Sequence, residues 1–138
     1  MAHNKFQVEV LTPDGEVFND EVEMLSTFTA LGSIGILANH APLLAMLDPT
    51  ELRLYRTEDD IVRFAQAEGY IQVGHNRALV LVEEAHEPSE LNTDELRERL
   101  SVAEREYEES EEDSEKRRAA ARSRRRIEAF LEIASAGG

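Results

Sequence analysis

The hydrophobic residues of this chain change their period close to residue 87. Before that point they recur at every second position, and after it at every third or fourth. A period of two belongs to a strand with one buried face. A period near 3.6 belongs to an amphipathic helix. The chain must therefore build a strand-rich part first and a helical part second, an α+β arrangement with the two kinds of element segregated.

The first part reads as many short strands. Phe6, Val8 and Val10 alternate with Gln7, Glu9 and Leu11, and Thr12-Pro13-Asp14-Gly15 supplies turn chemistry. Val22 and Met24 alternate with Glu21 and Glu23. Ile34 to Leu37 and Leu43 to Leu47 are short apolar runs around a Pro-containing loop. Leu52 and Leu54, Ile61 to Ala65, Gly69 to Val73 and Arg77 to Glu83 follow, with turn signals at Glu58-Asp59-Asp60 and Gly74-His75-Asn76. Strands this short and this closely spaced predict an antiparallel β-sandwich or barrel over residues 1–86.

Residues 87–138 predict an antiparallel two-helix hairpin. Asn92 is placed to cap the first helix, with Glu95 three residues on as its return partner. Leu96, Leu100, Ala103 and Tyr107 give that helix an apolar stripe, and Ser110 to Ser114 holds the turn. Ala120, Ile127, Phe130, Leu131 and Ala134 mark the inner side of the second helix, and Gly137-Gly138 ends it.

Charge narrows the classes of function. Against 15 Lys and Arg stand 29 Asp and Glu, a net charge of −14. A general nucleic-acid binder needs a basic face to neutralise phosphates, so nucleic acid is not an expected partner. There is no cysteine, which removes disulfides, thiolate metal sites and a cysteine nucleophile. No apolar run approaches the ~20 residues that span a bilayer, and the polar start Met-Ala-His-Asn-Lys lacks the core of a signal peptide. The expectation is a soluble acidic protein that meets a membrane only through partners. Within the helical part charge is sorted. Residues 86–115 hold 13 acidic and 3 basic side chains, and residues 116–138 hold 2 acidic and 7 basic. An acidic helix followed by a basic one attracts its neighbour weakly and salt-dependently. A hairpin of that kind has marginal stability of its own and can change position at low cost.

The stretch Gly32-Ser33-Ile34-Gly35-Ile36-Leu37-Ala38-Asn39-His40-Ala41-Pro42-Leu43-Leu44 resembles the signature Gly-x-[IL]-Gly-[IL]-x-x-x-His-Ala-Pro-Leu-Leu of the epsilon subunits of F-type rotary ATP synthases. Leu11-Thr12-Pro13-Asp14-Gly15 with Val17-Phe18, Leu52-Arg53-Leu54, Gly69-Tyr70-Ile71-Gln72-Val73 and Val80-Leu81-Val82 continue the likeness over nearly the whole chain. The resemblance implies a non-catalytic central-stalk subunit. Its β-sandwich binds the gamma subunit and the c-subunit ring. Its helical hairpin folds back or extends toward the alpha/beta catalytic head, where it blocks ATP hydrolysis. It also implies a peripheral place at the cytoplasmic face of the plasma membrane or an equivalent energy-transducing membrane. Ser33, Ile34, His40 and Pro42 are then the contact loop for the c-ring and gamma. Ser33 stands where many family members have an acid, so neutral hydrogen bonding replaces a charge there. Arg118, Arg122, Arg124, Arg125 and Arg126 are the candidate inhibitory face.

Other readings of the same residues stay open. His40 is either an interface residue or one that shapes its own loop beside Pro42; no nucleophile and base accompany it, so catalysis is not expected. His3, His40, His75 and His86 lack metal-ligand spacing, and neither metal nor obligatory cofactor is expected. Some family members bind ATP between the helices through [IL]-Asp-x-x-Arg-Ala. Here Asp94 and Arg97 keep the acid and base, with Glu87, Arg122 and Arg126 as the other candidate residues for a regulatory ATP. Thr93, Glu98 and Glu104 depart from that pattern, and the glutamates would repel a triphosphate. A stand-alone ATP-sensing module is the alternative function, with a small β-sandwich enzyme and a helix-recognising adaptor behind it.

Overall fold

The computed structural model describes residues 4–136, so His3 and Gly137-Gly138 lie outside the described residues. The chain divides into two compact units, residues 1–87 and 88–138.

The first unit contains β1 (Phe6–Thr12), β2 (Gly15–Val22), β3 (Met24–Thr29), β4 (Gly32–Leu37), β5 (Leu43–Leu47), β6 (Thr50–Tyr55), β7 (Ile61–Gln66), β8 (Gly69–Gly74), β9 (Arg77–Val82) and β10 (Ala85–His86). Their hydrogen-bonded order is β10-β7-β6-β3-β5-β8-β9-β1-β2, and β4 pairs with β3 beside this path. The strands close over a core in which the period of two is fulfilled. Phe6, Val8 and Val10 are buried while Gln7 and Glu9 are only half-buried, and Leu52, Leu54, Ile71 and Val80 complete the interior. Pairing is antiparallel with one exception. β1 runs parallel to β9, with Val8 beside Ala78 and Val10 beside Val80. Alternation within a strand carries no information about its neighbour's direction, so the sequence pattern cannot reveal this pair.

The alternation through Val22 and Met24 is divided between two strands. β2 ends at Val22 and β3 starts at Met24. Between them the Glu23 N–H donates to the Tyr55 carbonyl at 2.7 Å. The inward parity restarts there: Val22 and then Leu25 are fully buried, while Met24 is only half-buried.

The second unit contains a 3-10 turn at Pro88–Glu90, α1 (Thr93–Glu109) and α2 (Glu115–Ala136). The Asn92 side chain accepts from the backbone N–H groups of Asp94 and Glu95, at 3.0 and 3.1 Å. That satisfies two of the four donors left free at a helix start. Leu96 and Ala103 of α1 are buried, as are Ala120, Ile127, Phe130 and Ile133 of α2. Between the helices Asp113 takes a left-handed conformation, φ 58°, which a short polar side chain tolerates better than most.

Candidate functional site

The signature stretch forms an antiparallel ribbon and the loop after it. β3 and β4 pair along their whole length, Met24 with Leu37 through Thr29 with Gly32. The Thr29 hydroxyl fixes the turn. It donates to the Gly32 carbonyl at 3.0 Å and accepts from the Leu31 N–H at 3.1 Å. Ser33 is exposed opposite Phe28, and Ile34 packs inward against the core. Of the predicted contact residues, Ser33 and Ile34 therefore begin β4, while His40 and Pro42 lie in the loop beyond its other end.

That loop is held from outside. The His40 N–H donates to the Leu37 carbonyl at 3.2 Å, and His40 Nδ1 lies 2.6 Å from the Ala41 carbonyl, to which it donates. Asn39 is left-handed, φ 62°, and its N–H donates to Asn76 Oδ1 at 2.7 Å. Asn76 Nδ2 in turn donates to the Lys5 carbonyl at 3.1 Å. Asn76 is a positioning residue that the sequence marked only as part of a turn.

A second surface was also unmarked. Met46 pairs with Tyr70, Tyr70 with Leu81, and Leu81 with Leu11, so one row crosses β5, β8, β9 and β1. Met46 is 60%, Tyr70 51% and Leu81 44% exposed, and Leu44 beside them is 72% exposed. The signal was present as apolar residues at outward positions of alternating strands. Contiguous exposed apolar surface of this kind marks an interaction site.

In the hairpin the arginines of α2 differ in their partners. Arg117 and Arg124 of α2 lie over the Tyr107 ring of α1, at 4.4 and 4.8 Å from its centroid, and Arg117 Nε donates to the Tyr107 carbonyl at 3.2 Å. Arg124 also pairs with Glu128 at 3.7 Å. Arg118 and Arg122 both reach Glu115, at 3.2 and 2.8 Å. Those hydrogen bonds, Arg122 first and then Arg118, hold the Glu115 carboxyl below the usual glutamate range. Arg125 is exposed and Arg126 half-buried.

The candidate nucleotide residues are distributed. Asp94 and Arg97 pair on the surface of α1 at 3.4 Å. Arg122 is engaged by Glu115. Glu87 belongs to the first unit. The groove between α1 and α2 has Val102, Ala103 and Ile127 as apolar lining, with Glu95, Glu98 and Glu106 against one arginine, Arg99. Among the described residues no group of three or more His, Asp or Glu could hold a metal, and no helix is long and apolar enough to cross a membrane.

The fold and its signature ribbon match a known family. The model of the ATP synthase delta/epsilon chain β-sandwich domain covers residues 5–88. An ATP synthase epsilon chain from a Sulfurihydrogenibium species is 33% identical over 131 residues, covering 95% of this chain and 98% of that one. The chain belongs to the ATP synthase epsilon chain family. The epsilon chain of Persephonella marina is 40% identical over 106 residues, 77% of this chain and 78% of that one. The chloroplastic epsilon chain of Pisum sativum is 34% identical over 130 residues, 92% and 94% of the two chains. Among solved structures, the Euglena gracilis mitochondrial ATP synthase (OSCP/F1/c-ring) contains a chain with the same fold. It has a TM-score of 0.77 at 18% identity and covers 98% of this chain and 84% of that one. The Tetrahymena thermophila mitochondrial central stalk/c-ring contains another, with a TM-score of 0.68 at 18% identity over 97% and 99% of the two chains. As an epsilon chain the protein is a non-catalytic subunit of a membrane-associated ATP synthase.

Proposed function

We propose that this epsilon chain couples the gamma subunit to the c-subunit ring in the central stalk, and that its helical hairpin restrains ATP hydrolysis by the alpha/beta catalytic head. The observation that carries the coupling role is the exposed row Met46, Tyr70 and Leu81. A chain with a net charge of −14 has ample polar surface, so an apolar row left in water calls for a partner. Ser33, Ile34, His40 and Pro42 form the contact ribbon and loop beside it. The Asn39–Asn76 bond pre-organises that loop, and His40 serves it by shaping the backbone. The chain sits peripherally, on the cytoplasmic face of the energy-transducing membrane.

The brake draws on the arginines of α2 other than the two stacked on Tyr107. Arg118 and Arg122, both paired with Glu115, together with Arg125 and Arg126 are the candidates to exchange their present contacts for an acidic surface in the head, whereas Arg124 serves the Tyr107 stack. A regulatory ATP is not part of this reading, since a triphosphate between the helices would meet Glu95, Glu98 and Glu106.

The test is ATP hydrolysis by the synthase stripped of this chain and then reconstituted with the full chain, or with a chain ending at residue 87. Binding by both and inhibition by the full chain alone is the expected result. Equal hydrolysis with both forms would remove the brake. Failure of either form to bind would remove the stalk role.

A further inference from the structure

The strand β4 leaves one edge open. Among the described residues it pairs with β3 alone. The two-residue turn makes Thr29 and Gly32 a hydrogen-bonded pair. By alternation Ser33 and Gly35 direct their N–H and C=O groups away from β3. An edge of this sort is normally blunted by charge, proline or shortness. Two other edges of this unit are blunted, while β5, joined to β3 only at Thr29 and Leu47, follows directly on Pro42. β2 carries Glu16, Asp20 and Glu21, and β10 is two residues long. By contrast, β4 reads Gly-Ser-Ile-Gly-Ile-Leu. It lies inside a stretch from Met24 to Leu47 without one Asp, Glu, Lys or Arg, in a chain where such residues make up 32%.

Gly35 adds an independent observation. Its φ is not positive, and a Cβ built there would meet nothing within 4 Å. Nothing in the chain itself requires glycine at this position, and glycine inside a strand is a cost of about 0.5–1 kcal/mol relative to alanine. A strand glycine without an internal reason often marks a place where another backbone approaches closely. Gly35 pairs with Ser26, so two small residues form a floor here. The exposed Phe28 and Leu37 stand on either side of it.

We infer that the open edge of β4 receives an extended, charge-free segment of a neighbouring synthase subunit as an additional strand. Main-chain hydrogen bonds at Ser33 and Gly35 provide the pairing, and Gly35, having no side chain, leaves room on that face for the side chains of the incoming strand. The charge-free character follows from the stretch it meets. Along β4 itself a buried charge would find no counter-ion, and Arg53, across β3 beside Ser26, is already paired with Glu51. The inference rests on the stalk-contact reading of this ribbon and gives it a mode of binding.

Amide hydrogen exchange separates the two. Exchange in β4 is compared between the free full-length chain and the same chain reassembled into stripped synthase. The amides of Ser33 and Gly35 are expected to slow by on the order of tenfold or more on assembly. Full incorporation with unchanged exchange at both amides would overturn the added strand and leave the stalk role standing. Failure to incorporate would overturn both. Two variants read the same edge. Gly35→Pro removes an outward N–H and no bond to β3, and Gly35→Val puts a branched side chain where the incoming strand's own side chain would lie. Each should fold, judged by an unchanged thermal transition, and reassemble about tenfold or more weakly. Normal reassembly of both folded variants would overturn the inference. So would a dimer of the free chain in which these amides are already protected, because a second copy would then be the occupant.

Discussion

The backbone N–H of Asn39 donates to the side-chain oxygen of Asn76 at 2.7 Å, across 37 residues of sequence. Both residues are left-handed, with φ of 62° and 58°. Asn76 also reaches the Lys5 carbonyl, so one amide ties the signature loop to the entry of β1. Asparagine is suited to both tasks, because it tolerates positive φ and carries a donor and an acceptor. Asn76→Ala should cost about 1–2 kcal/mol in urea unfolding and speed amide exchange at Asn39. Asn76→Gly relieves the backbone but loses the same bonds. It should therefore be milder in stability and equal in its effect on Asn39 exchange. Unchanged exchange at Asn39 in both variants would mean that the loop holds itself.

Gly69 is the opposite case to Gly35. A Cβ at Gly69 would lie 1.9 Å from the Leu81 carbonyl oxygen and 2.8 Å from the Val82 Cα. Both are backbone atoms of the neighbouring β9, so neither can rotate away, and the strands would have to separate. Gly69→Ala should destabilise the first unit by about 3 kcal/mol. Gly35→Ala should be neutral or stabilising by about 0.4–1 kcal/mol. Equal midpoints for the two variants in denaturant unfolding would contradict this account.

Much of the fold was legible because it depends on local rules. Phe6, Val8 and Val10 alternate and are buried. Asn92 caps α1, although Glu95 joins the cap through its backbone N–H. Leu96, Ala103, Ile127 and Phe130 lie on inner faces, but Ile133, also buried, was not picked out. What escaped the sequence depends on pairing between distant segments. The parallel β1–β9 register is one example, and the break at Glu23 is another. The row Met46, Tyr70 and Leu81 arises only when three strands are set side by side. The bond from Asn39 to Asn76 likewise has no local signature. The expected attraction of an acidic helix for a basic one took an unforeseen form, since Arg117 and Arg124 contact the Tyr107 ring of α1.

That stack makes Tyr107 the residue to test in the hairpin. A guanidinium over a ring contributes about 0.5–1 kcal/mol at a partly exposed site, and here two share one ring. Tyr107→Leu keeps apolar bulk and removes the π face. It should weaken the second unit by about 1 kcal/mol, read as roughly fivefold faster amide exchange at Ala120 and Ile127. Tyr107→Phe keeps the face and should behave as the parent chain. If Leu and Phe are indistinguishable, the arginines contribute through their alkyl stems alone.

Glu115 holds Arg118 and Arg122 on the outward side of α2. Its carboxyl is depressed, chiefly by Arg122 and then by Arg118. A depressed folded-state carboxyl contributes stability that is present above the ordinary glutamate range and is lost as pH falls through the folded value. The Glu115 resonance should therefore titrate below that of a free glutamate, and the pairs should open only in acid. Glu115→Gln should open them at neutral pH. If these arginines act on the catalytic head, freeing them strengthens inhibition, and reconstituted synthase carrying Glu115→Gln should hydrolyse ATP more slowly than the parent. Changing Arg118, Arg122, Arg125 and Arg126 together to Glu should do the reverse and raise hydrolysis. Parental rates in both would show that the outward arginines are solvated surface and that the brake, where it operates, uses other contacts.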